Sequence, residues 1–383
     1  MFSSLFSSEE RLPLILKTTT VDYILGLCTF LLLRRVFSST DEPGVVLQGR
    51  RLSTQSSDAM TVAFHEDGGT CIAGTTIFFS FCKPLNVGFH LHSLQALVPS
   101  LLQREIATAL EKLGLISDRT YAWEMFLEMV RSQAQYRFPN ADLPLHFTDA
   151  TRAILVNWII QVHEMMNFQE DTLYLAIHLL NLSLRLIKVT TTNLQLLGMV
   201  CLFLAAKKEE SLLPEVSFLC YLMDNTYTKQ QLLRMERKVL CGLKFNLSHC
   251  APSHFLSLLA AVARCSAMVL SMARYLLELS LLEGQCVTFS PLELAGASLC
   301  LARLVLQEPS TPEGDAAWCL VSSIHFGSEA TLRKIMNILA SVAAKADIQE
   351  PNATFVKFSS LATMHVSRHP GLIDASSLLL ECT

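Results

Sequence analysis

Lys207 and Glu236 carry charges that the surrounding sequence does not readily absorb into a fold. Lys207 belongs to LFLAAKKEE, Leu202 to Glu210, which begins as a buried helix and ends in four consecutive charges. On that helix Lys207 falls on the side of Val200, Phe203 and Leu204, so its ammonium emerges beside an apolar stripe. Glu236 belongs to RMERKVL and stands one turn from Leu232 and one turn from Leu240. A charge inside an apolar stripe must be paired or stand at an edge, because an unpaired buried ion is too costly. Two chemistries meet that condition. The ammonium and carboxylate bond each other or snorkel to water, or they offer charge-assisted hydrogen bonds to a partner.

Other reactive groups point to little chemistry. The twelve cysteines include no C-x-x-C pair, and several sit within apolar helical runs. They read as small buried hydrophobes of a reducing compartment rather than a disulfide framework or zinc site. His90 and His92 form a close pair with no carboxylate or thiol nearby to complete a ligand set, so no metal or other cofactor is expected. No Gly-rich phosphate loop, G-x-S-x-G elbow or paired-acid constellation occurs, and no catalytic residue is assigned. Three N-x-S/T sequons, at Asn181, Asn246 and Asn352, are read as ordinary polar residues.

The whole chain sets the frame for these residues. Its 383 residues are 51% hydrophobic and 17% charged, with a mean hydropathy of +0.38. That is a helix-rich or partner-burying composition, not a disordered one. A net charge of −4 supplies no basic field for nucleic acid or anionic membrane, so neither is expected as a partner. The apolar run Ile24–Leu33 is too short to span a bilayer. Glu9 and Glu10 precede it where a signal peptide carries positive charge, so a membrane anchor is not expected. Residues 1–100 as a whole read as a poorly ordered extension, because Ser38 to about Val87 keeps neither helical nor strand periodicity.

From about Ser100 the pattern becomes one of helices. HSLQALVPSLLQREIATALEKLGL places Leu101, Ile106, Leu110 and Leu113 on one face and stops at Gly114. RTYAWEMFLEMVRSQ follows, carrying Tyr121, Met125, Phe126 and Met129. In TRAILVNWIIQVHEMM, capped by Thr148 or Asp149, a wide apolar stripe runs through Ile154, Leu155, Trp158, Ile159, Val162 and Met166. QEDTLYLAIHLLNLSLRLI is apolar on most faces and is expected to be the central buried helix. NLQLLGMVCLFLAAKKEE brings Gly198, Ala205 and Ala206 for close backbone approach, and Thr228 caps YTKQQLLRMERKVLCGLKFNL. A second succession of apolar helices follows a turn near Pro252, with Ser290 as a cap, Pro291 at a first helical position, and Ala295, Gly296 and Ala297 as the small residues. The expected fold is all-α: two five-helix domains in tandem, each around a central buried helix, over residues 101–248 and 249–346, with a tail over 347–383.

RAILVNWIIQVHEMMNFQEDTLYLAIHLL, LQLLGMVCLFLAAKKEE and LLRMERKVLCGLKFNL together resemble the cyclin box, in order and spacing, across residues 118–248. MARYLLELSLLEG and FSPLELAGASLCLARLVL resemble the second box of the A- and B-type cyclins, FVKFSSLATMHVS looks like their terminal tail, and several stretches look closest to an atypical branch of the family. The resemblance implies a tandem cyclin-box fold and a non-catalytic, activating subunit of a cyclin-dependent serine/threonine kinase. It implies that Lys207 and Glu236, at the family's A-A-K-x-E-E and M-E-x-x-V-L positions, hydrogen-bond the backbone ahead of the kinase αC helix. Leu196 and Tyr121 complete the kinase-facing set it implies. Docking would press αC inward, letting its glutamate pair with the kinase's β3 lysine.

Departures from the family pattern are specific. The M-R-A-I-L motif reads Thr151-Arg152-Ala153-Ile154-Leu155, so the methionine that helps dock R-x-L substrates is absent while Leu155 and Trp158 of that hydrophobic patch remain. The aspartate of D-R-F-L is Asn181, so Arg152 meets an amide where the family has a carboxylate, and a charge-assisted bond becomes a weaker one. RLPL at Arg11 satisfies a minimal R-x-x-L destruction pattern, a short motif that arises often by chance. The expected function is a kinase-activating cyclin of cell-cycle control, in nucleus and cytoplasm, which meets a kinase and protein substrates. The alternative kept beside it is a kinase-independent helical adaptor. A DNA-binding module and an enzyme are the weaker readings.

Overall fold

A computed structural model describes residues 91–133, 148–307, 311–322, 329–346 and 352–381. Among them every regular element is helical. The apolar run Ile24–Leu33, Arg11 and His90 lie outside the described residues.

Helix α1 (Leu91–Lys112) turns Leu102, Ile106, Ala109 and Leu110 inward at helical spacing. It stops at Gly114, whose φ of +69° suits the residue without a Cβ, and the Leu115 N–H donates to the Leu110 carbonyl at 3.0 Å. The helix begins ten residues before the boundary expected at residue 101. A short 3₁₀ turn leads into α2 (Ala122–Ser132). The sequence groups these two helices with the first unit, but their buried side chains share a core with the second, where α1 packs on α8 (Pro252–Val262) and α11 (Pro312–Ser322).

The first unit proper contains α3 (Asp149–Met165), α4 (Glu170–Leu186), α5 (Leu194–Glu209), α6 (Val216–Leu222) and α7 (Lys229–Gly242). Thr148, rather than Asp149, caps α3: its hydroxyl accepts from the Thr151 N–H. Thr228 and Gln231 close a capping box on α7. The central helix is α5, not α4 as the apolar content of α4 suggested. Every residue from Leu194 to Ala206 is buried, with α3, α4 and α7 around it. The physical reason is size. A Cβ added at Gly198 would stand 3.1 Å from Leu155 Cδ1 and Ile159 Cδ1, so the glycine lets α3 lie close on α5. Helix α4 instead keeps an acidic first turn, Glu170 and Asp171, that must stay near water or cations.

The second unit repeats the plan with α8, α9 (Ala267–Leu279), α10 (Pro291–Leu306), α11 and α12 (Glu329–Lys345). Its hub is α10, opened by a Ser290–Glu293 capping box and Pro291, with Ala295, Gly296 and Ala297 buried. The tail forms a short α13 (Ala353–Lys357), two 3₁₀ turns and α14 (Gly371–Glu381), which packs on α10 and α12.

Several contacts among the described residues join the units, Arg274 to Glu170 at 3.9 Å among them. Arg152 Nη1 donates to the Leu281 carbonyl at 2.8 Å. The Ser253 hydroxyl and His254 Nε2 meet the Asp171 carboxylate. The tail lies over both units: Ala353 N–H donates to Asn157 Oδ1 at 2.8 Å, and the Lys357 ammonium reaches Glu164 at 2.7 Å and Glu278 at 2.8 Å. The Glu278 carboxylate is buried and also accepts from the Thr354 hydroxyl.

Candidate functional site

The four charges that end α5 separate into different tasks. Glu210 accepts from the Gln169 N–H at 2.7 Å and from the Thr172 hydroxyl, so it caps α4 with a carboxylate at the positive end of the helix. Lys208 pairs with Glu209 on the surface. Lys207 extends from α5 across to α7, where its ammonium hydrogen-bonds Glu236 Oε1 and sits 4.3 Å from the centre of the Phe203 ring. Glu236 is 8% exposed, held between the buried Leu232 and Val239 on the inner face of α7. The pair is therefore half sheltered: an exposed ammonium over an aromatic face, and a carboxylate sunk at the edge of the core.

Large apolar side chains lie open on the same stretch of chain. Leu233 precedes Glu236 by one turn on α7 and is exposed. Leu212 and Leu213 follow the end of α5, and Leu212 is 86% exposed. On α6 the exposed rings of Phe218 and Tyr221 stack, their centres 6.2 Å apart. Just beyond α7, Lys244 and Phe245 both take left-handed conformations, at φ +51° and +59°, and Phe245 is 68% exposed. Left-handed backbone costs a non-glycine residue about 1–2 kcal/mol. The turn bears that cost while holding a phenyl ring in water. Sequence reasoning passed over Leu212, Leu213 and Phe245, because exposure of an apolar residue just past a helix end has no periodic signature.

The remaining expected site residues are spread over the unit. Tyr121 is exposed where the 3₁₀ turn meets α2. Leu196 is not available to a partner: it is 3% exposed within the hub helix, and that placement corrects its assignment to the kinase-facing set. Leu155 and Trp158 likewise lie in the core of the first unit rather than on an open hydrophobic patch. Leu155 faces the gap that Gly198 leaves, and this close packing of α3 on α5 draws it inward. Arg152 is 1% exposed; its Nε donates to Asn181 Oδ1 at 3.2 Å, and burial lowers its pKa from 12.5 to about 10, leaving it charged at neutral pH. The other two sequon asparagines also serve the fold: Asn246 accepts from the Ser248 N–H, and Asn352 caps α13.

Among the described residues no group of three or more His, Cys, Asp or Glu side chains could hold a metal ion, and no helix is long and apolar enough to cross a membrane. The chemistry available at the α5–α7 edge is recognition: two opposite charges held together, with exposed apolar side chains on the same helices and the segments that follow them, the composition of a protein-binding surface.

Comparison with known proteins gives a consistent result. The family model described as "Cyclin, N-terminal domain" matches residues 124–248, and that described as "Cyclin, C-terminal domain" matches residues 250–372. A protein named G2/mitotic-specific cyclin-B2 from Rana japonica is 34% identical over 233 residues, 60% of this chain and 58% of the relative. A G2/mitotic-specific cyclin-B from Arbacia punctulata is 32% identical over 268 residues, 68% of this chain and 64% of the relative. The chain thus spans less than two thirds of the length of these relatives. A solved structure of a viral cyclin from herpesvirus saimiri aligns with a TM-score of 0.47 at 18% identity, covering 56% of this chain and 96% of that one.

Proposed function

The chain belongs to the cyclin family, and from that premise we propose that it is the activating regulatory subunit of a cyclin-dependent serine/threonine kinase in cell-cycle control, working in nucleus and cytoplasm. The observation that carries the reading is the Lys207–Glu236 pair at the α5–α7 edge, with Leu233, Leu212, Leu213 and Phe245 exposed on the neighbouring chain. A pair needed only for the fold could stand against polar surroundings. This one has the exposed Leu233 one turn away on α7, and exposed Leu212, Leu213 and Phe245 follow the two helices in the chain, a combination that association with a partner would resolve.

On docking, each charge would exchange its partner. The Lys207 ammonium would donate to, and the Glu236 carboxylate accept from, the backbone ahead of the kinase αC helix, with the apolar side chains covered around them. The subunit itself performs no bond-making step. Its contribution is to hold αC in the position that lets the kinase's own residues act.

The test is a pull-down of the full chain against a panel of cyclin-dependent kinases, with the Lys207→Ala/Glu236→Ala double variant alongside, followed by a histone kinase assay. The double change is the suitable one, because Lys207→Ala alone would strand the sunken Glu236 carboxylate and confuse binding with stability. The proposal expects binding and activity from the wild type and a loss of at least about tenfold in a double variant with unchanged circular dichroism. A well-folded wild type that binds no kinase would select the adaptor reading. That reading has its own observations: Lys207 and Glu236 already satisfy each other, and Leu155 and Trp158 are shut inside the core.

A further inference from the structure

We propose that the cavity between the two units, beside Arg152, is a binding site for a small oxyanion of the size of inorganic phosphate. The cavity has a volume of about 80 Å³ and is lined by Arg152, Tyr174, His178 and Asn181 from the first unit, His249 from the junction, and Cys286 from the second. A single water needs roughly 10–15 Å³ measured in this way, so several waters, or one tetrahedral anion with water beside it, have room.

The guanidinium is the reason an anion belongs there. A guanidinium has five N–H donors. In Arg152 one donates to the Asn181 side-chain oxygen and one to the Leu281 carbonyl, and the other N–H groups have no acceptor among the described residues. Both acceptors are neutral. Asp149 and Glu283 act on the guanidinium across space, yet neither forms an ion pair with it. A full positive charge, 1% exposed and without a carboxylate in contact, is an arrangement that proteins seldom leave uncompensated.

The rest of the lining is largely apolar, with Ile177, Leu281, Val287, Phe289 and Leu294, so few polar groups there compete with the guanidinium for an acceptor-rich guest. Tyr174 lines the cavity with its ring, while its buried hydroxyl lies in the field of Glu170, Glu278 and Asp171 and is not counted among the anion's donors. Asn181 keeps an amide nitrogen while its oxygen is engaged by Arg152. The His178 and His249 rings stack with centres 4.7 Å apart, and burial lowers the pKa of each, so at neutral pH they are uncharged rings rather than extra cations. The site therefore offers one fixed cation and neutral donors. That combination favours a singly or doubly charged oxyanion over a polyanion.

The experiment is ³¹P NMR of inorganic phosphate titrated with the full chain, with sulfate as competitor, on the wild type and on Asn181→Asp. The aspartate would supply inside the chain the carboxylate that the anion otherwise brings, and it keeps the shape of the side chain it replaces. The expected result is saturable broadening by the wild type, reversed by sulfate, with affinity at least tenfold weaker in Asn181→Asp. That variant should also melt higher than the wild type in phosphate-free buffer, which shows that it is folded. Absence of saturable broadening in the wild type, or equal broadening by a well-folded Asn181→Asp, would overturn the site. Because the readout involves no kinase, its result is independent of the proposed kinase partnership.

Discussion

At the scale of single residues, two positions turn geometry into expectation. Gly198 separates the hub helix from α3, and a Cβ there already meets Leu155 and Ile159 at 3.1 Å. Gly198→Val should overpack that contact and lower stability by about 1–3 kcal/mol, read as a fall in the urea midpoint with an unchanged m value. Phe245 behaves differently because its strain is local. Phe245→Gly removes about 1 kcal/mol of left-handed strain and adds a similar unfolded-state entropy, so the melting temperature should barely move. If the ring seats on a kinase, the same variant should bind that kinase at least about tenfold more weakly by calorimetry. An unchanged affinity would place Phe245 outside the interface.

At the scale of elements, the tail α13 is the part whose removal reaches furthest. Lys357 alone lies between Glu164 of α3 and Glu278 of α9, and the Glu278 carboxylate is buried. Lys357→Met should strand that carboxylate and cost about 3 kcal/mol in chemical denaturation, and adding Glu278→Gln should restore part of the loss. Elements were legible from the sequence where their signals are local: Thr148, Thr228 and Ser290 cap as their types require, and Gly114 stops α1 at positive φ. They were not legible where two candidates share a signal. Both α4 and α5 are apolar nearly all round, so periodicity could not choose the hub, and the choice rests on how closely Gly198 lets α3 approach. For the same reason Leu196 and Trp158 could not be assigned inward or outward from spacing alone. Lys207 and Glu236 were legible because a charge in an apolar stripe stands out in any register.

At the scale of the whole molecule, the junction between the units makes stability depend on acidity. Burial lowers the pKa of His178 from 6.5 to about 4, and that of His249 in the same direction. As pH falls below 6.5 the unfolded chain takes up a proton that folded His178 refuses until about pH 4, so stability is lost across that window and fully present above it. His178→Phe keeps a flat ring against His249, and it should make the slope of unfolding free energy against pH shallower between those limits, measured by urea titration at several pH values. The packing of α1 bears on how the molecule is made. That helix leaves the ribosome first among the described elements, yet its buried face fits α8 and α11, which emerge much later. The tail that joins the two units is the last of the described segments to emerge. Early apolar surface must therefore wait in a partly finished chain, the stage at which nascent proteins aggregate or are held by chaperones. A premature stop shortly before Ala353 would remove α13 together with α14, which packs on α10 and α12, and release a product whose halves lack their shared fastening, and quality control rather than altered binding would decide its abundance.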